Sequence, residues 1–201
     1  LLVWTNEAFA SYDPAYAYEI RHIVRDALDR WYGPNSGRDR NIMYYLTVYN
    51  EPMVQPAEPA DVDVEGIIKG IHRIAGAPES DGPEVQLLAS GVGVPWALEA
   101  RRILAQDWGV RASVWSVTSW GELRREALAV DRNNFLNPSG PRGVPYLTSR
   151  LASAQGPFIA TSDYDHAVPD LIRPWVPGSY HVLGADGFGF SDTRAAARRH
   201  Y

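Results

Sequence analysis

Apolar residues in the second half of the chain recur in two alternating patterns. Short apolar or β-branched runs predict strands, and apolar positions three or four residues apart predict the helices between them. The predicted strands are residues 85–89, 113–117, 158–161 and 180–183. The predicted helices are residues 95–108, 119–130, 145–154 and 167–175, with a last helix from Asp192 onward. This alternation predicts an α/β domain, a mostly parallel sheet with helices on both faces.

The first fifty residues predict a βαβ-like unit. An apolar run at residues 1–5 is followed by Asp13-Pro14, which can begin a helix with Asp13 as N-cap and Pro14 at the first helical position. Apolar side chains then recur at helical spacing until a Gly-Pro pair at residues 33–34 ends the helix. Residues 42–49 are β-branched and aromatic, so they predict a buried strand.

A proline-rich stretch separates this unit from the rest of the chain. Residues 51–63 hold three prolines among acidic and small residues, a composition typical of an extended linker. We therefore expect residues 1–50 to form one unit and residues 64–201 to form the α/β domain.

Composition and charge exclude several classes of protein. The chain has 201 residues, of which 45% are hydrophobic and 21% charged, as in an ordinary globular protein. Its net charge of −5 argues against binding to nucleic acid or to a membrane surface. No apolar run reaches the roughly 18 residues of a membrane span. The chain has no cysteine, hence no disulfide or thiolate chemistry, which fits a cytoplasmic protein.

The glycine-containing loop at residues 90–93 lies between a predicted strand and a predicted helix, where a phosphate can bind. It lacks the third glycine of the dinucleotide fingerprint, and Pro95 and Trp96 crowd the helix start, so a tight turn is the better interpretation. The five histidines show no spacing typical of metal ligands or of a base beside a nucleophile. Among them, His22 is predicted to be solvated and His72 to serve in packing.

Asp163, Asp165 and His166 form a polar cluster directly after a predicted parallel strand, where ligands often bind. Carboxylates beside a histidine can tune an acid or base. Helix N-capping by the two aspartates is the alternative, and it is favoured. We therefore predict no catalytic, cofactor-binding or metal-binding residue from the sequence motifs of this chain.

The late run DGFGFSDTR holds a candidate subunit contact. Phe188 and Phe190 flank Gly189, and such a loop is too apolar to be free, so we expect it to pack in a dimer interface. Ser191 or Asp192 can cap the helix that follows.

Several runs in this chain are similar, in the same order, to one family. They are SYDPAYAYE (11–19), YYLTVYNEP (44–52), GIIKGIHRI (66–74), VQLLASG (85–91), SVTSWGELRREAL (116–128), TSDYDH (161–166) and VLGADGFGFSDTR (182–194). Together they resemble the homodimeric-type pyruvate dehydrogenase, the thiamine-diphosphate-dependent first component of the pyruvate dehydrogenase complex. The resemblance covers essentially the whole chain. It implies the end of a pyrimidine-binding, transketolase-like domain, then the linker, then most of a transketolase C-terminal-type domain, as part of a longer polypeptide.

The resemblance also implies a cofactor, partners and a reaction. Such an enzyme holds thiamine diphosphate and Mg²⁺ in its other domains, decarboxylates pyruvate, and passes the acetyl group to the lipoyl arm of dihydrolipoyl acetyltransferase. The family's diphosphate motif, activating glutamate and histidine-rich loops have no match here. The segment is therefore expected to bind no cofactor alone and to act as scaffold and dimer contact for a second copy of the subunit. Some relatives have arginine where this chain has Phe190, which favours packing over anion binding.

Two other interpretations stay open. One is a free-standing α/β interaction or regulatory module derived from a transketolase-type C-terminal domain. The other is a sibling enzyme, a transketolase or a deoxyxylulose-phosphate synthase, which the runs YYLTVYNEP and DGFGFSDTR disfavour.

Overall fold

The computed structural model describes residues 2–33, 41–50, 52–187 and 191–200, and it contains two β-sheets. The strands are β1 (Phe9–Tyr12), β2 (Met43–Leu46), β3 (His72–Ala75), β4 (Glu84–Ala89), β5 (Arg111–Ser116), β6 (Phe158–Thr161) and β7 (Tyr180–Leu183). The helices are α1 (Leu2–Thr5), α2 (Ala17–Tyr32), α3 (Val64–Lys69), α4 (Gly93–Trp108), α5 (Trp120–Leu136), α6 (Tyr146–Leu151), α7 (Ala167–Asp170) and α8 (Arg194–His200). Within the described residues, no helix combines the length and apolarity that a bilayer crossing requires.

The first unit has the predicted βαβ order, because β1 and β2 are parallel neighbours joined by α2. Two details of the prediction are wrong. The apolar run at the start of the chain forms the short helix α1, and the first strand lies downstream of it. Strand β2 is not buried: Met43 and Tyr45 are 54% and 43% exposed.

Helix α2 begins at Ala17, later than the Asp13-Pro14 pair predicted. Asp13 is not its N-cap, because its side chain bonds to the end of β2 instead. The orphan N–H groups near the helix start are satisfied by Glu19, which reaches back so that its Oε2 accepts from Ala15 N at 2.6 Å and Tyr16 N at 2.9 Å. Satisfying these donors locally fixes where the helix starts.

The second sheet has five strands in the order β3-β5-β4-β6-β7. All neighbouring pairs are parallel except β3–β5, which places one antiparallel strand at the edge. The predicted parallel pairing of residues 85–89 with 113–117 is confirmed, with Val85 opposite Ala112 and Leu87 opposite Val114. The fold is therefore α/β with a mostly parallel sheet, as expected.

Helices cover both faces of this sheet. Successive residues of a strand point to opposite faces, so neighbouring strand residues belong to different cores. Leu88 and Phe158 belong to a core that includes buried residues of α1, α5, α6 and α7. Leu87 and Val114 belong to a second core, shared with α3, α4 and the first unit. Each fully buried leucine or phenylalanine in these cores stabilises the fold by about 1.5–3 kcal/mol.

The later helices differ from the predictions mainly at their ends. Ser119 caps α5 as predicted, its Oγ accepting from Glu122 N at 2.9 Å, but the helix continues to Leu136. The predicted helix 167–175 is split into α7 and a 3-10 turn at Arg173–Trp175. Proline at position 174 has no N–H to donate, which explains the break.

Helix α8 begins at Arg194, and its cap was predicted wrongly. Thr193 Oγ1 accepts from Ala196 N at 3.3 Å, so the hydroxyl one residue after Asp192 satisfies the helix start. Asp192 instead accepts from Thr193 N at 2.6 Å, and Ser191 makes no bond to this helix among the contacts described.

The proline-rich segment is attached to α2. Residues 52–59 have no helix or strand, yet Gln55 Oε1 accepts from Ala17 N at 2.9 Å, and Glu58 Oε1 lies 2.9 Å from His22 Nε2. The side chain of His22 is only 13% exposed. The prediction of a solvated His22 is therefore wrong, because the linker returns along the helix and covers it.

Candidate functional site

The carboxyl ends of four strands lie close together where the two sheets meet. Strands β1 and β2 are a parallel pair of the first sheet, and β4 and β6 are a parallel pair of the second. The residues at or just past the ends of β1, β2, β4 and β6 are Asp13, Thr47, Ser90 and Asp163. Backbone bonds join the sheets here, from Asp13 N to Thr118 O at 2.7 Å and from Gly91 N to Asp13 O at 3.0 Å. Ligands of open α/β sheets bind at this edge. Together with Tyr49, these four residues form what we call the carboxyl-edge cluster.

Asp13 is the buried centre of the carboxyl-edge cluster. Its side chain is inaccessible to solvent, and its Oδ1 accepts from the hydroxyls of Thr47 and Tyr49. Its Oδ2 and the Oγ of Ser90 are both buried, and within the described residues the two groups lie close enough for the Ser90 hydroxyl to stabilise the carboxylate. Burial raises the pKa of Asp13 above its ordinary value, although the hydroxyls of Thr47, Tyr49 and Ser90 favour the charged form.

Gly91 makes room for the tyrosine that reaches Asp13. Its φ is +49°, and a Cβ at this position would lie 2.7 Å from Tyr49 Cζ. Only glycine combines this backbone conformation with the close approach of a ring.

Asp163 brings a second carboxyl to the same place. Asp163 is exposed as a residue, but partial desolvation of its carboxyl, and then repulsion from Asp13, raises its pKa to about 6. Burial also raises the pKa of Tyr49 and Tyr164, with a further contribution from the charge of Asp13. The two tyrosines therefore stay protonated across the physiological range of pH, and Tyr49 donates its proton to the hydrogen bond with Asp13.

A cleft of about 350 Å³ lies beside the cluster. Tyr49 forms a wall between the two, and Met53, Val92, Trp96 and Glu99 line the rest of the cleft together with two prolines. Trp96 is 50% exposed, and the site thus offers apolar surface beside two acidic groups.

The loop at residues 90–93 is a tight turn in which both glycine N–H groups are already used. Gly91 N donates to Asp13 O, Gly93 N to Ser90 O at 2.9 Å, and Val94 N to Gly91 O at 3.2 Å. A phosphate cradle needs such donors free and its surroundings positive, whereas this turn lies against a buried carboxyl. The residues present do not fit the diphosphate of a cofactor.

Glu19 and His72 form a second buried polar contact, with 2.6 Å between Glu19 Oε1 and His72 Nε2. The two side chains are 0% and 3% exposed. His72 is therefore buried as expected, but it is also a hydrogen-bonding partner, which sequence reasoning missed. The one local signal was an acidic residue in the first turn of α2.

The predicted cluster of Asp163, Asp165 and His166 is divided in the structure. Asp163 lies where the charge of Asp13 affects its pKa, and it makes no capping bond to α7 among the described contacts. Asp165 Oδ1 accepts from Ala167 N at 2.8 Å and so satisfies one N–H at the start of α7, but the N-cap residue is His166, whose side chain makes no capping bond. Capping by the two aspartates was therefore only partly right. His166 Nδ1 lies 2.5 Å from Asp186 Oδ2. The potential metal-ligating atoms of Asp165, His166 and Asp186 lie within 4.8 Å of one another, but all three residues are exposed. We therefore interpret His166 and Asp186 as a surface ion pair at the start of α7.

Phe188, Gly189 and Phe190 lie outside the described residues. The dimer contact expected there stays a prediction.

Two family descriptions match the chain. Residues 70–201 match the transketolase-like C-terminal domain, and residues 3–56 match the middle domain of the pyruvate dehydrogenase E1 component.

The chain is also similar over its whole length to curated proteins. It is 55% identical over all 201 residues to the pyruvate dehydrogenase E1 component of Mycolicibacterium smegmatis and 54% identical to that of Mycobacterium tuberculosis, in each case over 21% of the relative. With the Escherichia coli K12 protein the identity is 43% over 192 residues, which are 95% of this chain and 21% of that protein. The chain thus spans about a fifth of the length of these relatives.

Solved structures of transketolases share the fold. A transketolase from Pichia stipitis in complex with a sugar phosphate aligns with a TM-score of 0.60 at 14% identity, over 96% of this chain and 23% of that one. A transketolase from Campylobacter jejuni aligns with a TM-score of 0.58 at 18% identity, over 96% and 24%. At these identities the likeness concerns the fold alone.

Proposed function

The chain belongs to the family of transketolase-like C-terminal domains, and we propose that it is the C-terminal portion of a thiamine-diphosphate-dependent pyruvate dehydrogenase. The whole enzyme would decarboxylate pyruvate and transfer the acetyl group to the lipoyl arm of a dihydrolipoyl acetyltransferase in the cytoplasm. One observation carries the proposal: an alignment at 55% identity to a pyruvate dehydrogenase E1 component runs over all 201 residues.

The role proposed for this segment is structural. Val24, Leu28 and Tyr32 form an apolar stripe on α2, spaced four residues apart and 42%, 49% and 80% exposed. Met43 and Tyr45 add exposed apolar surface on β2. Parallel sheets are normally covered on both faces. A two-stranded parallel sheet that exposes this apolar surface is therefore consistent with the edge of a larger sheet. The rest of a middle domain would supply that sheet.

The cofactor would be held by other parts of the enzyme. Thiamine diphosphate supplies the decarboxylation chemistry when bound, and Mg²⁺ ties its diphosphate to the protein. The turn at residues 90–93 already uses Gly91 N and Gly93 N and lies against the buried carboxyl of Asp13, which supports a segment without a diphosphate site. We accordingly assign no catalytic, cofactor-binding or metal-binding residue to this chain.

Dimerisation through Phe188, Gly189 and Phe190 is part of the proposal. A permanent homodimer buries upwards of about 2,000 Å² with an apolar centre, and this loop offers two aromatic side chains. In the natural polypeptide that carries these residues, Phe188→Asp should shift sedimentation toward the monomer. Ser191→Asp adds the same charge nearby without removing an aromatic ring and should leave the dimer intact. An unchanged dimer in the Phe188 variant would reject the contact.

The reaction itself is tested on the natural polypeptide. With thiamine diphosphate and Mg²⁺, it should reduce an artificial electron acceptor when given pyruvate, and it should acetylate the lipoyl domain of an acetyltransferase. Turnover of sugar phosphates without turnover of pyruvate would favour a transketolase, and absence of both would reject the proposal.

A further inference from the structure

Three arginines of α5 line a cleft that the proposed function does not use. The cleft has a volume of about 430 Å³ and lies between α5 and the residues at the end of α1. Its arginines are Arg124, Arg125 and Arg132, and of the described residues that line it only Glu7 is acidic. This volume is in the range of small-molecule sites. In a chain with a net charge of −5, such a local excess of positive charge favours an anionic ligand.

Arg124 and Arg132 have no partner for their charge. Helical ion pairs form between residues three or four positions apart, and no acidic residue stands at that spacing from either arginine. Within the residues that the structure describes, neither guanidinium has a hydrogen bond or an ion pair, and Glu7 pairs with neither of them. Arg124 is nevertheless half-buried. Arginines that lose solvent are normally paired, so these two retain donors for a bound group.

Arg125 and Gly121 keep the cleft in shape. The guanidinium of Arg125 donates to Phe9 O, and its Nη1 lies 3.1 Å from Glu122 Oε1, so this arginine joins α5 to β1. A Cβ at Gly121 would lie 3.1 Å from Trp4 O, so the glycine allows α1 to pack closely against α5. The walls are therefore fixed before a ligand arrives, which lowers the entropic cost of binding.

The two unpartnered arginines lie at opposite ends of an apolar stretch of α5. Arg132 lies roughly two helical turns, or about 12 Å, beyond Arg124 along the helix. Two extended arginine side chains can reach a common point across that span. Leu128 stands halfway between them and is 41% exposed, and Ala129 beside it is also exposed. The cleft therefore offers positive charge and apolar surface to one ligand.

We propose that this cleft binds a small organic phosphate monoester, with Arg124 and Arg132 contacting the phosphate oxygens and Leu128 packing against the organic part. A guanidinium presents its N–H groups as a planar fork that matches two oxygens of a phosphate. A phosphate monoester carries about two negative charges near pH 7 and offers three acceptor oxygens, which two guanidinium groups can match. A carboxylate has a single charge and would leave one guanidinium unpaired. The inference rests on the cleft alone and does not depend on the proposed reaction.

Saturation-transfer NMR on the natural polypeptide tests the site, with phenyl phosphate as the probe. The method detects weak binding to a large protein through the ring protons of the probe. Thiamine diphosphate and Mg²⁺ are present throughout, so that any diphosphate site elsewhere in the polypeptide is filled. We expect a transfer that saturates with a Kd on the order of 1 mM and that inorganic phosphate displaces. Phenol keeps the ring but lacks the phosphate, and it should show no saturable transfer.

Variants assign the binding to the cleft. Replacing Arg124 and Arg132 together by alanine should weaken binding by at least about tenfold, because each substitution removes charge-assisted hydrogen bonds. The matched control Arg102→Ala removes an exposed arginine of α4 that is paired with Glu99, and it should leave binding unchanged. Arg132→Gln, at an exposed position, replaces the double variant if that protein does not fold.

Three results would overturn the proposal. The first is the absence of saturable binding, as expected if another part of the natural polypeptide fills the cleft. The second is equal binding of phenol and phenyl phosphate, which would show that the phosphate is not recognised. The third is equal binding by the parent and the arginine variants, which would place the phosphate elsewhere.

Discussion

Glu19 and His72 pair across the junction of the two sheets, with 2.6 Å between Glu19 Oε1 and His72 Nε2. Glu19 lies in the first turn of α2, and His72 begins β3. The other oxygen of Glu19 accepts from the backbone of Ala15 and Tyr16. One carboxylate thus satisfies the start of a helix in the first unit and a buried imidazole in the second.

Removing this carboxylate should be strongly destabilising. Glu19→Ala leaves buried donors unpaired, so we expect a loss of about 3 kcal/mol in the free energy of unfolding. Urea unfolding followed by tryptophan fluorescence measures it. The control Glu65→Ala removes an exposed ion pair with Lys69 and should change stability by less than about 1 kcal/mol. Equal effects of the two substitutions would show that the buried pair has no special role.

Gly91→Ala should destabilise the junction by more than about 1 kcal/mol, because the new Cβ requires an unfavourable φ and meets the ring of Tyr49. Gly76→Ala is the matched control, since Gly76 has an ordinary φ and nothing within 4 Å of its Cβ position. Thermal unfolding of both variants gives the comparison. A Gly91 variant as stable as the Gly76 variant would contradict the described packing of Tyr49.

The hydrogen bonds between the linker and α2 should protect the linker from proteolysis. Replacing both Gln55 and Glu58 by alanine removes the bonds to Ala17 and His22, so cleavage within residues 52–63 should become severalfold faster. Limited digestion with a broad-specificity protease, followed by mass spectrometry, measures the initial rate. Asp61→Ala changes an exposed acid of the same segment and should leave the rate unaltered. Equal rates in all three proteins would mean that the segment is not held.

Asp163 should make stability depend on pH. Its pKa in the folded chain is about 6, above the roughly 3.9 of an unfolded aspartate. A carboxyl with a raised folded pKa contributes stability that is complete below the unfolded pKa and is lost as the pH rises through the folded pKa. The thermal midpoint of Asp163→Asn relative to the parent protein should therefore rise between about pH 4 and pH 7.

The control for this pH dependence is Asp186→Asn. Hydrogen bonds from His166 lower the pKa of Asp186, so its contribution is lost only as the pH falls below the ordinary range of an aspartate. Asp186 also raises the pKa of His166, whose contribution is lost only as the pH rises above the roughly 6.5 of an unfolded histidine. The midpoint of Asp186→Asn relative to the parent should therefore stay level between about pH 5 and pH 6, where that of Asp163→Asn still rises. If the thermal midpoint of Asp163→Asn relative to the parent also stayed level with pH, the raised pKa of Asp163 would be contradicted.

The second sheet could be predicted from the sequence because its signals are local. Apolar runs such as residues 85–89 and the capping pair Ser119 and Glu122 report the element that they form, and β4, β5 and α5 lie where these patterns place them. Alternation of strand and helix then fixes parallel neighbours, since each crossover returns the chain to the same edge.

The carboxyl-edge cluster could not be predicted in this way, because its bonds are long-range. Asp13 precedes Pro14 as a helix cap would, but the hydroxyls of Thr47 and Tyr49, 34 and 36 residues away, take its side chain. Long-range competition of this kind leaves no periodic or spacing signal. The burial of strand β2 was predicted wrongly for a related reason. Apolar composition predicts a buried strand, but it does not show which neighbouring elements would bury it.

The central claim, that this segment is scaffold for a cofactor bound elsewhere, is tested most directly by calorimetry. The soluble 201-residue chain is titrated with thiamine diphosphate in the presence of Mg²⁺, beside the natural polypeptide as the positive control. The account predicts binding by the natural polypeptide and none by the chain, in whose turn at residues 90–93 both glycine N–H groups are already paired. Micromolar binding by the chain, about 8 kcal/mol, would place a cofactor site within these residues and contradict the account.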